Sequence, residues 1–280
     1  MLKLIKAAFK RNHSFVFESA LLPKIQLQTQ QHIQKLDSVH IGSYHKCVKW
    51  REASELQLHP CYFHLLAFEQ HMQIMLNDEF PFALLGIVHL SNEIEVMASA
   101  DFKAGFEVSS EIRRFKRHQK GITFTIESTI RQNKNLIWHS TSEFLAINTK
   151  ARTGKSRSQP FQLADDMTII DNWYCDKFVG WQYGKISGDF NPIHLSPLSA
   201  KLFGFKSAIA HGMWSKARCL SALQSQLPEA FKCKVEFHKP LFLPAKVSLY
   251  KAIIESESQR FQLTSHAEDT CHLEGYLYRH

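Results

Sequence analysis

The stretch SGDFNPIHLSPLSAKLFGFKSAIAHGMWSKA, residues 187–217, decides how this chain is read. Asp189 and His194 are five residues apart. On a continuous helix they would sit roughly 140° apart around the axis and would share no task. Pro192 breaks regular structure and pushes Asn191 toward extended backbone, and Gly188 loosens the chain on the other side. The segment therefore reads as a turn in which Asp189 and His194 converge. A carboxylate and an imidazole brought together form an acid/base pair: one takes a proton from water while the other holds or donates one. Asn191 adds an amide able to fix a carboxylate or a bound water. The alternative is an Asx-turn, with Asp189 and Asn191 bonded only to backbone.

Further along, His211 and Gly212 stand just before an apolar-periodic run. Met213, Ala217 and Leu220 share its face, extended by Ala222 or Leu223, so a helix is expected over about 211–225. A glycine at a helix start lets a ligand approach unpaired backbone N–H groups. With the positive end of the helix dipole, those donors make an oxyanion hole for a carbonyl. An acid/base pair beside such a hole suits addition of water to an enoyl thioester. Water is deprotonated, carbon 2 is protonated, and negative charge rests on the thioester oxygen.

Outward from this cluster, the order of elements repeats. Before it, HPCYFHLLAFEQHMQIMLND (59–78) carries Leu65, Phe68, Met72 and Met75 at three- and four-residue spacing, a helix with Pro60 near its start and Pro81 beyond its end. Strand-like runs follow at 86–96, 106–115, 121–132 and 135–148. In the third, Ile122, Phe124, Ile126 and Ser128 point one way while Thr123, Thr125 and Glu127 point the other. After the loop-rich 182–205 and the helix near 211 come runs at 234–242, 246–255, 260–268 and 271–279. Pro240 and Pro244 mark the first of these as an edge or bulged strand. A helix and then antiparallel strands, twice over, is an α+β protein of two similar units. The polar, basic NTKARTGKSRSQP (148–160) separates them. The expected division is an N-terminal domain at 1–148, a basic linker at 149–162 and a catalytic domain at 163–280.

The 280 residues carry a formal charge of +8, and 44% are hydrophobic, so core material is ample and disorder is not expected. A basic balance favours anionic partners. Zinc-finger spacing and a basic helix leading into a zipper are both missing, so nucleic acid is not the expected partner. The six cysteines form no C-x-x-C pair and read as reduced thiols. No run approaches membrane-spanning length. The segment MLKLIKAAFKRNHSF reads as a docked terminal helix, and the chain as soluble and cytoplasmic. His40, His45, His59, His64, His71 and His89 match no zinc spacing and read as surface or satisfied core histidines. Lys232, Lys234 and Lys239 flank the strand after the second helix; they meet either solvent or the phosphates of coenzyme A or an acidic carrier protein. Phe203, Phe205, Phe237 and Phe242 are core material with a share in lining an acyl tunnel.

The run S-G-D-F-N-P-I-H, the later G-F, and I-A-H-G-M at matching spacing resemble the MaoC-like hydratase/dehydratase family, which includes the (R)-specific enoyl-CoA hydratases. The likeness covers roughly 165–280 and continues more loosely through KVEFHKPLFLPAKVSLY. It implies a hotdog fold, a long helix wrapped by a curved antiparallel sheet. Asp189 and His194 would hold the water, supported by Asn191. The Gly212 N–H would bind the thioester oxygen, with His211 beside it. The N-terminal half is similar to the degenerate hotdog of two-domain members, which shapes the acyl site without doing chemistry. The expected substrate is a trans-2-enoyl thioester of coenzyme A or acyl carrier protein, with no metal or other cofactor, in a monomer or homodimer. Two positions depart from the family pattern: Ser196, where many members have an acidic residue, and Leu220, where short-chain hydratases have a serine. A thioesterase and a non-catalytic acyl-thioester binding protein are the alternative functions.

Overall fold

The computed structural model describes residues 16–19, 21–51, 58–102, 104–148, 161–255 and 258–279. The expected N-terminal helix and residues 149–160 of the basic linker lie outside the described residues. Ten strands form one antiparallel sheet: β1 (Gln28–Ile33), β2 (Ile87–Val96), β3 (Phe106–His118), β4 (Gly121–Gln132), β5 (Asn135–Ile147), β6 (Thr168–Cys175), β7 (Phe231–Phe237), β8 (Ala245–Glu255), β9 (Ser258–Ser265) and β10 (Cys271–Arg279). Their order is β1-β3-β4-β5-β2-β7-β10-β9-β8-β6. Each half thus supplies five strands in the same relative order, and the halves meet where β2 pairs with β7, Asn92 opposite Val235. Two fused hotdogs, as the resemblance implies, have this form.

The helices are α1 (Ser38–Val48), α2 (Tyr62–Leu76), α3 (Val179–Ser187), α4 (Pro192–Leu195), α5 (Pro197–Lys201) and α6 (Gly212–Ala222). α2 and α6 are the long-helix elements of the two halves. Because the sheet wraps α2, more than an apolar stripe is buried. Phe68 and Met72 are only half-buried, whereas His64, Gln70 and His71 are buried outright. One apolar core crosses the seam, joining Tyr44, Ile94 and Trp138 of the first half to Leu220, Val235 and Leu273 of the second.

Two expectations need correcting. The stretch 182–205 is not mainly loop: it holds the end of α3 and all of α4 and α5. And β7 is no edge strand. It is paired on both sides, by β2 and β10, and buries Phe231, Cys233 and Val235. Pro240 and Pro244 fall beyond its end, where they break no ladder. Also unforeseen were β1, α1 and β6. All six cysteines are free thiols, and among the described residues no helix is long and apolar enough to cross a membrane.

Candidate active site

α3 ends in Gly188, whose left-handed backbone (φ 77°) caps the helix and turns the chain. The Asx-turn then forms in full. Asp189 Oδ1 accepts the Asn191 N–H at 3.1 Å, and Asn191 Oδ1 accepts the Ile193 N–H at 3.4 Å, starting α4 at Pro192. The alternatives posed for this motif are therefore not exclusive. The turn uses one oxygen of Asp189 and leaves the other free to act. Asn191 serves here as the helix cap.

The turn delivers Asp189 and His194 to one place, with His211 as a third member. One ligating atom from each lies within 4.8 Å of the others. His194 Nδ1 is 2.8 Å from the Ile209 carbonyl. A carbonyl only accepts, so that nitrogen carries the proton and Nε2 presents its lone pair. His211 Nε2 is fixed in the same way, 3.1 Å from the Asp189 carbonyl and 3.7 Å from Asp189 Oδ2. The two imidazoles stack with ring centroids 3.7 Å apart. Burial pushes both below the ordinary histidine range, His211 to about 3, so both rings are neutral near pH 7. The Asp189 side chain stays 28% exposed, the member of the group open to solvent. The three side chains lie close enough together to share one small ligand, and each imidazole keeps one nitrogen not engaged by a backbone carbonyl.

His211 is the N-cap of α6 and makes no side-chain cap bond. The first N–H groups of that helix, from Gly212 onward, therefore have no partner within it. Gly212 is required by contact: a β-carbon there would lie 2.9 Å from the Phe237 ring.

Sequence reading missed the floor of the site. A β-carbon on Gly180 would lie 2.0 Å from the His194 carbonyl oxygen, and one on Gly184 2.8 Å from that of Asp189. These glycines, four apart on α3, let the motif backbone settle onto the helix. The spacing G-W-Q-Y-G was the available signal. Tyr183, between them, packs its ring 4.9 Å from His211. Among the lysines, Lys232 lies beside Glu93 and Glu95 (3.7 and 3.6 Å), Lys234 is 3.2 Å from Glu236, and Lys239 is exposed beyond the end of β7. Ser196 caps α5 through Ser199, and Leu220 is wholly buried.

Residues 159–273 match the family described as MaoC like domain. The chain is 27% identical over 217 residues to the 3-hydroxyacyl-thioester dehydratase X of Mycobacterium tuberculosis, covering 78% of this chain and 77% of that protein. The crystal structure of HtdX from the same organism superposes with a TM-score of 0.78 at 24% identity, over 91% of this chain and 100% of that one. A protein of Mycobacterium tuberculosis described as having a double hotdog fold superposes with a TM-score of 0.61 at 10% identity, over 92% of this chain and 96% of that one.

Proposed function

We propose that this chain, whose residues 159–273 match the family described as MaoC like domain, reversibly hydrates a trans-2-enoyl thioester to the (R)-3-hydroxyacyl thioester. The observation that carries this reading is the pinned tautomer of His194. With Nδ1–H held by the Ile209 carbonyl, Nε2 is a base beside the Asp189 carboxylate. In the forward direction Asp189 orients a water, and His194 Nε2 takes one of its protons. The water oxygen bonds to C3 as the C2=C3 pair moves toward the thioester carbonyl. The oxygen of that carbonyl bears the charge while the N–H groups at the start of α6, Gly212 first, donate to it. His194 then returns the proton to C2. One O–H bond and one C=C π bond are exchanged for a C–O and a C–H bond. The reaction adds the elements of water, OH to C3 and H to C2, with no net oxidation or reduction. Asn191 holds the turn, and His211 orients Asp189. The acyl group arrives on a pantetheine thiol, of coenzyme A or of a carrier protein.

The test is the absorbance of the enoyl-thioester band with crotonyl-CoA and a ten-carbon enoyl-CoA. Wild type should bleach the band, and Asp189→Asn and His194→Ala should each abolish the change. A folded wild type that bleaches neither substrate, nor the matching carrier-protein thioesters, would remove the hydratase reading.

A further inference from the structure

Three imidazoles form a row inside the N-terminal half, and the reaction above uses none of them. His64 and His71 stand two turns apart on α2, and His89 comes from β2. The rings of His89 and His64 are 6.1 Å apart at 17°, and those of His64 and His71 are 5.6 Å apart. Each ring has a buried nitrogen without a partner: His89 Nε2, His64 Nδ1 and His71 Nδ1. His71 Nε2 meets Ser128 Oγ at 2.8 Å, and Ser128 Oγ meets Ser110 Oγ at 2.7 Å, so the row ends in hydroxyls. The sequence expectation of satisfied core histidines fails for these three, although it holds for His59, both of whose ring nitrogens are bonded. Native proteins keep few unpaired buried polar atoms, because water lost from such an atom is not replaced. Three such atoms in one bent row, with Phe144 against both end rings, make a site where a group from outside the chain could pair with them.

The row starts at the candidate active site. The His89 ring lies 5.1 Å from that of Phe237, the ring that closes against Gly212. On its other side the His89 ring stacks on Phe144 at 4.5 Å. His89 is thus the member of the row that meets Phe237, and His64 follows it 6.1 Å further in. Lys216, the cation whose charge acts on His64 and His89, already has three oxygen acceptors and offers the row no free positive charge for an anion. Neutral imidazoles, each a donor at one nitrogen and an acceptor at the other, match a hydroxyl or a ketone.

We propose that the preferred substrates carry a neutral hydrogen-bonding oxygen a short way beyond C3, read by the row His89–His64–His71. This rests on the hydratase reading for where C3 lies. The experiment compares two enoyl-CoA substrates of equal length, one plain and one bearing a hydroxyl beyond C3. The ratio of their kcat/KM values is taken in wild type, His64→Leu and His64→Gln. Wild type is expected to favour the hydroxylated substrate at least tenfold. His64→Leu should remove that preference, and His64→Gln, which keeps a donor and an acceptor, should retain part of it. Calorimetric binding of the corresponding saturated acyl-CoA pair gives the same comparison without turnover. A hydroxyl preference in binding keeps this proposal alive even if no enoyl thioester is hydrated. A wild type that favours the plain chain or binds the pair equally, or a ratio that His64→Leu leaves unmoved, means that the row holds buried water only and overturns it.

Discussion

Lys216 Nζ stands 2.6 Å from Asn92 Oδ1, a bond from the long helix of one half to the central strand of the other. The same ammonium reaches the carbonyls of Asn92 and Cys233, each at 3.1 Å, so its three protons have three acceptors. Asn92 Nδ2 in turn donates to Ser140 and Ser142. A fully buried lysine is tolerable only with such complete pairing. It lies one turn beyond Gly212 on α6, so the clamp that joins the halves also fixes the helix whose start holds the thioester oxygen in the proposed reaction. Lys216→Met leaves three buried acceptors without that donor and is expected to lower stability by about 3 kcal/mol. Urea unfolding measures it. A loss no greater than that of an exposed Lys→Met change would mean that the clamp contributes nothing.

Gly180→Ala should lower kcat/KM by about a hundredfold or more, since misplacing a catalytic group by about 1 Å costs that much. The added carbon lies 2.0 Å from the His194 carbonyl, so the loop carrying His194 must lift off α3. Gly42→Ala, at an exposed position inside α1 with nothing within 4 Å, is the control. It should stabilise by about 0.5–1 kcal/mol and leave activity unchanged. Steady-state kinetics and melting of the two variants separate crowding from a general intolerance of helix changes.

Burial sets the response to acid. His59, His64, His71, His89, His194 and His211 are all held below the ordinary histidine range, mainly by loss of water, and His59, His71, His89 and His211 reach about 3. Below about pH 6.5 the unfolded chain binds these protons while the folded chain refuses them. Stability is therefore full above that pH and falls as pH drops toward 3. Each histidine contributes a slope of up to about 1.4 kcal/mol per pH unit. Urea midpoints at pH 7.5, 6, 5 and 4.5 should decline ever more steeply, and His71→Gln should flatten the curve. Midpoints unchanged down to pH 4.5 would contradict the buried neutral rings.

What the sequence disclosed follows from how local each feature is. The turn at Gly188–Pro192 is written in consecutive residues, so Asp189 and His194 were legible as a pair. The helix start at Gly212 was legible for the same reason. The strands after each long helix alternate clearly, and β4 was read with the bounds it has. The central place of β7 was not legible, because Pro240 and Pro244 lie so close to its end that they read as interruptions of it. Gly180 and Gly184 were missed because their reason is a backbone neighbour ten or more residues away in the first case and five in the second, not a turn of their own. Lys216 and the row of histidines look like ordinary solvated or satisfied side chains in sequence. Only tertiary packing, across the seam for Lys216 and within the N-terminal half for the histidines, shows which partners they have or lack.

Gly212, at the start of α6, has an ordinary negative-φ backbone, so alanine is not excluded there by conformation. What excludes it is one side chain: the three atoms nearest to an added β-carbon all belong to the Phe237 ring, at 2.9–3.1 Å. Gly212→Ala must push that ring away or shift the helix start, and either change moves the N–H that faces the thioester oxygen in the proposed reaction. Activity should fall by about 10²–10³-fold, the cost of one lost oxyanion donor. Phe237→Leu removes the ring carbons that the methyl meets, so the double variant Gly212→Ala/Phe237→Leu should recover a substantial part of the loss. The two changes are then coupled rather than additive, as expected for side chains in contact. If the double variant shows the simple product of the two single losses, the glycine is needed for a reason other than the Phe237 contact, and close approach of substrate to its backbone becomes the better account.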